Sequence, residues 1–369
     1  MKTAVTIMFQ APNGIGLGHI SRLVAVALAL RDLDPKLRMP FVLEGGSHEL
    51  LERDGLPYVA LPHHDHLQSG SWDAWSKDER NQLVAELSSV LISRMSPALV
   101  VTDSFPCFPF LAAVARASVP VVLCARKTKD ESGYFREVAR YRALLRAILI
   151  PHNPEEVAVP KELEPLVHYT GAIVRPVRSD ARIPAISGEP RILITGGGGG
   201  YPRTADFYNM AMEAVARYRR TGPNTTCVLI TGPLFKHWWD LRIPDGIRVV
   251  PFEPNFREMA AKADLVICQA GYNTVSEMQI LGTRCISVPA ERESDDQFAR
   301  AAEAAKSLPH FHVYLGKDPG RLAELIAHSI AGPRPVSRLC ASGGSSGARR
   351  AAELLLRFAE ISLAGTVGR

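Results

Sequence analysis

The chain has 369 residues, 46% of them hydrophobic and 22% charged, with a formal net charge of +5. That length predicts two domains, and the dispersed positive charge excludes a dedicated nucleic-acid binder while leaving room for anionic ligands or an anionic membrane surface. No apolar run approaches bilayer length, no signal-peptide pattern opens the chain, and the six cysteines (107, 124, 227, 268, 285, 340) lack metal-ligand spacing, so a cytoplasmic protein with reduced core thiols is expected.

Strands and helices alternate from the start, which predicts parallel sheets covered on both faces. In the first half, strands are expected over 4–9, 39–43, 99–102, 119–124, 147–151 and 167–171, with helices over 20–31, 78–94, 109–117 and 134–146. The first strand runs into a glycine-rich turn, Gly14-Ile15-Gly16-Leu17-Gly18-His19, with Arg22 one helical turn further on. Glycines such as Gly16 and Gly18 let a ligand approach the backbone closely. A dinucleotide-binding turn is the competitor. Its small residue against the pyrophosphate is replaced by His19, and Glu44 is the only acidic residue near the end of the second strand. A histidine at the mouth of such a turn suits a general base. Asp103, at the end of strand 99–102 on the same edge, is placed to fix its tautomer, although Asp103 also fits a helix N-cap. Arg22 fits either a phosphate contact or a surface ion pair.

Residues 175–190 are rich in proline and polar side chains and form the expected linker between domains of 1–174 and 191–336. Strand 191–195 then leads into five glycines, Gly196 to Gly200, and a helix over 204–219. Gly197 and Gly198 suit a close approach to phosphate, or equally a hinge-side loop. Further strands are expected over 226–230, 247–251, 265–268, 285–288 and 312–315, and residues 337–369 close the chain with a helix near the domain junction. The repeated opening of strand, glycine turn and helix predicts two doubly wound α/β domains facing one another, with ligands in the cleft between them.

The most informative segment is Asp264-Leu-Val-Ile-Cys-Gln-Ala-Gly271-Tyr-Asn273-Thr274-Val-Ser-Glu277. It reads as a buried strand, a tight turn and a helix N-terminus starting at Asn273 and Thr274, whose N–H groups and dipole suit a diphosphate. Glu277 would lie on the first helical turn and accept hydrogen bonds from a ribose. The alternative is an ordinary capped helix, with Asn273 or Thr274 as cap and Glu277 closing a capping box.

Weaker candidates are His63-His64-Asp65-His66, whose adjacency is wrong for a metal site, the pairs Trp72/Trp75 and Trp238/Trp239, which fit packing or sugar stacking, and the basic run Arg126-Lys127-Thr-Lys129.

Together these features resemble the GT-B glycosyltransferases, most closely the branch of the peptidoglycan lipid-intermediate N-acetylglucosaminyltransferase. The likeness covers nearly the whole chain and is most specific in Ala270-Gly271-Tyr-Asn273-Thr274-Val-Ser-Glu277, Gly282, Pro289 and Asp295-Asp296-Gln297-Phe-Ala-Arg-Ala301. The resemblance implies two Rossmann-like doubly wound domains, the first for the acceptor and the second for a UDP- or dTDP-sugar. It also implies that Thr274 and the N–H groups near Gly271 hold the diphosphate, that Glu277 binds the ribose and Gln297 a sugar hydroxyl, and that the loop at Phe252 covers the base. Asp296 stands where the family often has a second glutamine, which leaves the donor sugar open.

The expected function is an inverting glycosyl transfer to a small-molecule or lipid-linked acceptor, with no cofactor and no obligatory metal, by a monomer or homodimer with room for peripheral membrane contact. The alternatives are a nucleotide-sugar hydrolase or epimerase on the same scaffold, since some relatives use the Gly-x-Gly-His-x-x-Arg turn to activate water, or a non-catalytic nucleotide-sugar binder. An oxidoreductase ranks last.

Overall fold

The computed structural model describes residues 4–12, 16–45, 48–61, 75–104, 107–176, 191–332 and 347–366. In chain order the elements are β1 (Ile7–Pro12), α1 (Gly18–Leu33), β2 (Phe41–Glu44), α2 (Glu49–Asp54), β3 (Tyr58–Leu61), α3 (Lys77–Met95), β4 (Leu99–Asp103), α4 (Phe108–Arg116), β5 (Val121–Cys124), α5 (Glu131–Ala139), β6 (Leu145–Ile150) and β7 (Val167–Tyr169). They continue with β8 (Arg191–Thr195), α6 (Thr204–Thr221), β9 (Thr226–Ile230), β10 (Ile247–Val250), α7 (Phe256–Lys262), β11 (Leu265–Cys268), α8 (Tyr272–Leu281), β12 (Cys285–Ser287), α9 (Gln297–Ser307), β13 (Phe311–Val313), α10 (Pro319–Ala331) and α11 (Gly347–Thr366).

The chain divides into two compact units, Met1–Arg175 with Ser345–Arg369, and Pro176–Gly344. In the first, seven strands pair in the order β3-β2-β1-β4-β5-β6-β7, all parallel. In the second, six strands pair in the order β10-β9-β8-β11-β12-β13, again all parallel. The strand order reverses direction between β1 and β4 and between β8 and β11, the switch points at which open α/β sheets bind ligands.

Alternation along the second sheet builds its two cores. Ile192, Ile194, Leu229 and Ile267 pack with buried residues of α6 and α10 on one face. Leu193, Val228, Val266 and Cys268 pack with α8 and α9 on the other. Both faces are covered, so the strands read as continuous apolar runs. Five cysteines (107, 124, 227, 268, 285) are buried free thiols.

Three elements differ from the sequence expectation. The edge strand β3 was not anticipated; it has four residues and is mostly half-exposed, too short to show a period. The helix expected over 134–146 ends at Ala139, because Leu145 to Ile150 is drawn into the sheet between β5 and β7. Tertiary pairing overrides the good helix propensity of that stretch. The closing helix, expected as a separate segment of 337–369, is part of the first unit. There α11 packs along α1 and reaches β4.

The buried face of α11 is Ala348, Ala351, Ala352, Leu355 and Ala359, a helical stripe of small residues around one leucine. At its first residue, Gly347, any Cβ would overlap the carbonyl oxygens of Gly171 and Ala172. Leu355→Ala should therefore destabilise the first unit by about 2–5 kcal/mol, read as a lower urea midpoint. An unchanged midpoint would mean that α11 adds no core to it.

Candidate active site

At the switch point of the first unit, β1 is followed by Gly16 and the N-terminus of α1, and β4 ends at Asp103. Gly18 is the first residue of α1, and the N-cap Leu17 makes no side-chain cap. His19, on the first turn, keeps 21% exposure, while Asp103 is fully buried. His19 Nδ1 lies 2.6 Å from Asp103 Oδ1. Arg22 Nη1 donates to Asp103 Oδ1 and Oδ2, at 2.7 Å each. Ser104 Oγ donates to Oδ1 at 2.8 Å.

Burial alone would raise the pKa of Asp103. The Arg22 charge, the His19 hydrogen bond and charge, and the Ser104 hydroxyl outweigh it and hold the carboxyl down to about 2. An ionised Asp103 requires the proton on Nδ1 of a neutral His19. The remaining nitrogen, Nε2, is then a proton acceptor.

Two sequence expectations change here. Arg22 does not lie on the surface; it is 1% exposed and clamps Asp103. Asp103 is not a helix cap, since α4 is preceded by Cys107 without any side-chain cap. Sequence reasoning also missed what supports the carboxylate. Ser104 adopts a left-handed φ of +54°, an uncommon state for a non-glycine residue that clusters at functional sites. The Tyr134 hydroxyl donates to the Ser104 carbonyl at 2.8 Å, and the Ser104 N–H donates to the Cys124 carbonyl at 2.8 Å, fixing that turn.

Glu44, the residue in the dinucleotide acid position, is fully buried and accepts from Gln10 Nε2 at 2.6 Å. Gln10 in turn accepts from Thr102 Oγ1. This polar chain ties β2, β1 and β4 together inside the sheet, which removes Glu44 from any ribose.

The second unit gathers its candidates at the carboxyl edge of β8 and β11. The glycine run is not a loose loop. The Tyr208 hydroxyl accepts from the Gly196 N–H, and the Gly197 N–H donates to Thr195 Oγ1. Gly198 O accepts from the Leu234 N–H at 3.0 Å. Gly232, at φ +88°, presses so closely that a Cβ there would overlap Gly197 and Gly198.

Helix α8 starts at Tyr272, with Gly271 as an N-cap that carries no side-chain cap. The capped-helix alternative therefore fails. The helix begins earlier than expected and places Glu277 on its second turn, 6% exposed, with Oε1 3.6 Å from Arg257 Nε. Asn273 and Thr274 are half-buried on the first turn, and Phe252 is half-buried in the loop after β10. Gln297 Oε1 accepts from the Ala290 N–H at 3.0 Å, which pins the loop between β12 and α9. Asp296, expected to contact the donor, caps α9 by accepting from the Ala299 N–H at 2.9 Å. The cap follows from its place directly before α9.

Two arginines that sequence reasoning did not single out flank the β11–α8 turn. Arg292 is 8% exposed; Nη2 donates to Gln269 Oε1 at 2.7 Å, and the guanidinium stacks on the Tyr201 ring, 3.6 Å from its centroid. Arg300 donates to the Ala270 carbonyl at 2.8 Å and to both oxygens of Asp295. Their signal in the sequence was a pair of cationic residues on either side of Gln297, Arg292 in the loop before α9 and Arg300 on its first turn. The His63–His66 cluster and Trp72 lie outside the described residues, as do 177–190 and 333–346. Among the described residues, no group of three or more His, Cys, Asp or Glu is arranged to hold a metal ion.

The first unit thus sets an imidazole against a buried carboxylate at its switch point, and the second sets the N-terminus of α8 at its own. Residues 191–333 match the glycosyltransferase family 28 C-terminal domain, and the chain is a glycosyltransferase of the GT-B fold. It is similar to the UDP-N-acetylglucosamine–N-acetylmuramyl-(pentapeptide) pyrophosphoryl-undecaprenol N-acetylglucosamine transferase of Rhizobium etli. The two are 28% identical over 297 residues, covering 74% of each chain. Its fold is shared with the glycosyltransferase of kitacinnamycin, at TM-score 0.63 and 15% identity over 96% of this chain and 99% of that one. It is also shared with the UDP-GlcNAc 2-epimerase of Methanocaldococcus jannaschii, at TM-score 0.60 and 11% identity over 96% and 100%.

The Asp103 pKa has a consequence for stability. A carboxyl depressed from 3.8 to about 2 on folding contributes stability above pH 4 that is lost as pH falls through 2. The contribution is about 2 kcal/mol. In acid titrations of unfolding, the loss between pH 4 and 2 should be shallower in Asp103→Asn than in the wild type. Parallel curves would place the charge elsewhere.

Proposed function

We propose that the protein transfers a sugar, with inversion, from a UDP-linked donor to a hydroxyl of a lipid-linked acceptor. The observation that carries this is the His19–Asp103 pair, which turns Nε2 of a neutral imidazole into the acceptor of a proton. In the transfer, Nε2 removes the acceptor proton and the acceptor oxygen forms a bond to the anomeric carbon. The bond from that carbon to the diphosphate breaks, and its electron pair leaves with UDP.

The second unit holds the donor. Charge developing on the leaving diphosphate falls on the N–H groups and dipole of α8 around Gly271, Asn273 and Thr274, with Gly197 and Gly198 giving the phosphates close backbone approach. The resemblance assigns the ribose to Glu277, a sugar hydroxyl to Gln297 and the base to the loop at Phe252. Arg257 holds the Glu277 carboxylate in place. These donors need no metal. The UDP donor and the lipid-linked acceptor follow from the name of the Rhizobium etli enzyme. A lipid-linked acceptor implies work at a membrane surface, and no helix among the described residues is long and apolar enough to cross one.

UDP should bind the purified protein in calorimetry with the same affinity whether magnesium or a chelator is present. Absence of binding would sink the reading of α8 as the diphosphate site. His19→Ala should leave the UDP Kd within about twofold and lower kcat by roughly 10²–10⁴. Glu277→Gln should weaken UDP binding by loss of charge-assisted hydrogen bonds, on the order of 1.5–3 kcal/mol. Equal loss of UDP binding in both variants would refute the division of labour. UDP release that needs no acceptor and does not rise when acceptors are added would make the protein a hydrolase.

A further inference from the structure

Asp103 carries more than an orienting partner needs. Its two oxygens receive Arg22 at 2.7 Å each, and Oδ1 also receives His19 and Ser104. A carboxylate that only fixed an imidazole tautomer would need the His19 contact alone. A fully buried guanidinium, one helical turn along α1 on the same carboxylate, changes the electrostatics of the base.

We propose that Arg22 is a positioning residue for His19: it shares the charge of Asp103, so that His19 gains a fixed tautomer without the proton affinity that an uncompensated buried carboxylate would confer. A lone buried carboxylate beside an imidazole strongly favours the imidazolium, which has no free lone pair and is no base. With Arg22 in place, much of that field is cancelled where the proton would go. The carboxylate still accepts the Nδ1–H bond, which needs geometry more than net charge.

The other groups facing this cluster do not take over the role. From β5, the Cys124 thiol lies within reach of Asp103 and Arg22, and burial with the Asp103 charge pushes it up, so it stays protonated. From α5, burial and then Asp103 push the Tyr134 hydroxyl up as well. Arg126, in the loop after β5, acts on Tyr134 as a further cation. Among the described residues, the cluster is thus the His19 ring, the Asp103 carboxylate and the Arg22 guanidinium, with the Arg126 guanidinium acting on Tyr134 beside it.

The catalytic consequence rests on the reading of His19 as the base; the electrostatic claim does not. The test is a histidine-ring NMR titration of the full chain, with the His19 signal assigned by its loss in His19→Gln. In Arg22→Gln the His19 midpoint should rise by on the order of one pH unit or more, and Arg22→Lys, which restores a cation, should return most of it. An unmoved midpoint in folded Arg22→Gln overturns the proposal. If Arg22→Gln fails to fold, Arg22→Met serves in its place. If neither folds, a midpoint in Arg22→Lys far above that of the wild type overturns the proposal, and one near it supports it. The pH dependence of kcat/KM separates the two ideas. An acid limb that moves up with the NMR midpoint supports both. A moved midpoint with an unmoved limb keeps the clamp and removes His19 as the base.

Discussion

Every strand pair in both sheets is parallel. The strands of a sheet therefore end at one edge, and each crossover helix starts there with its unpaired N–H groups and positive dipole end. Where the strand order reverses, the two following helices go to opposite faces and leave a gap between their N-termini. The residues that matter, Gly16 to Arg22 with Asp103 in one unit and Gly196 to Gly200 with Gly271 to Thr274 in the other, sit beside those two gaps because parallel pairing puts them there.

The two gaps treat buried charge differently. In the first unit a guanidinium and a carboxylate meet at 2.7 Å, with an imidazole as third member. In the second, Arg300 has Asp295 at 2.6 Å and Arg257 has Glu277 at 3.6 Å. Among the described residues, Arg292 has no carboxylate within salt-bridge distance and rests on an amide oxygen and an aromatic face. Burial lowers the pKa of Arg292, Tyr201 and Asp295 opposing. Buried ion pairs contribute little net stability, so their positions are better explained by what they orient. In the first unit Arg22 and Asp103 balance one another. In the second, Arg257 has Glu258 as well as Glu277 acting on it, so the three arginines near α8 are matched by three carboxylates.

The layered α/β plan was legible because fully covered strands such as Leu265–Cys268 and Val121–Cys124 are unbroken apolar runs between glycine or polar turns. The candidate site was legible where a local pattern marks a strand–turn–helix junction, as in the turn before His19 and the turn at Gly271. It was not legible where a role depends on residues far apart in the chain. Arg22 reads as a residue one turn along a helix, and only the approach of β4, 81 positions away, makes it a clamp on Asp103. Glu277 reads as a capping-box acid, and only α7 brings Arg257 to it. Asp296 reads as the stand-in for a glutamine of the resembled family, and the start of α9 at the next residue makes it a cap. The glycine run reads as freedom, whereas Tyr208 and Gly232 hold it in one shape.

The two strand–glycine–helix openings look alike in sequence and do different work. In the first unit the turn delivers a titratable ring to the first residues of α1, where the helix dipole and Arg22 set a positive potential and Asp103 a negative one. In the second, the glycine turn carries only Tyr201 and, through Gly196, the Tyr208 hydroxyl, which burial keeps protonated. No imidazole stands on the first turn of α6 or α8. The openings differ at two places: the first has a histidine on its first turn and a partner strand ending in Asp103, whereas the second has no histidine and a partner strand ending at Cys268, with Gln269 and Ala270 before Gly271. In the transfer proposed above, the first opening takes the acceptor's proton and the second receives the anionic diphosphate.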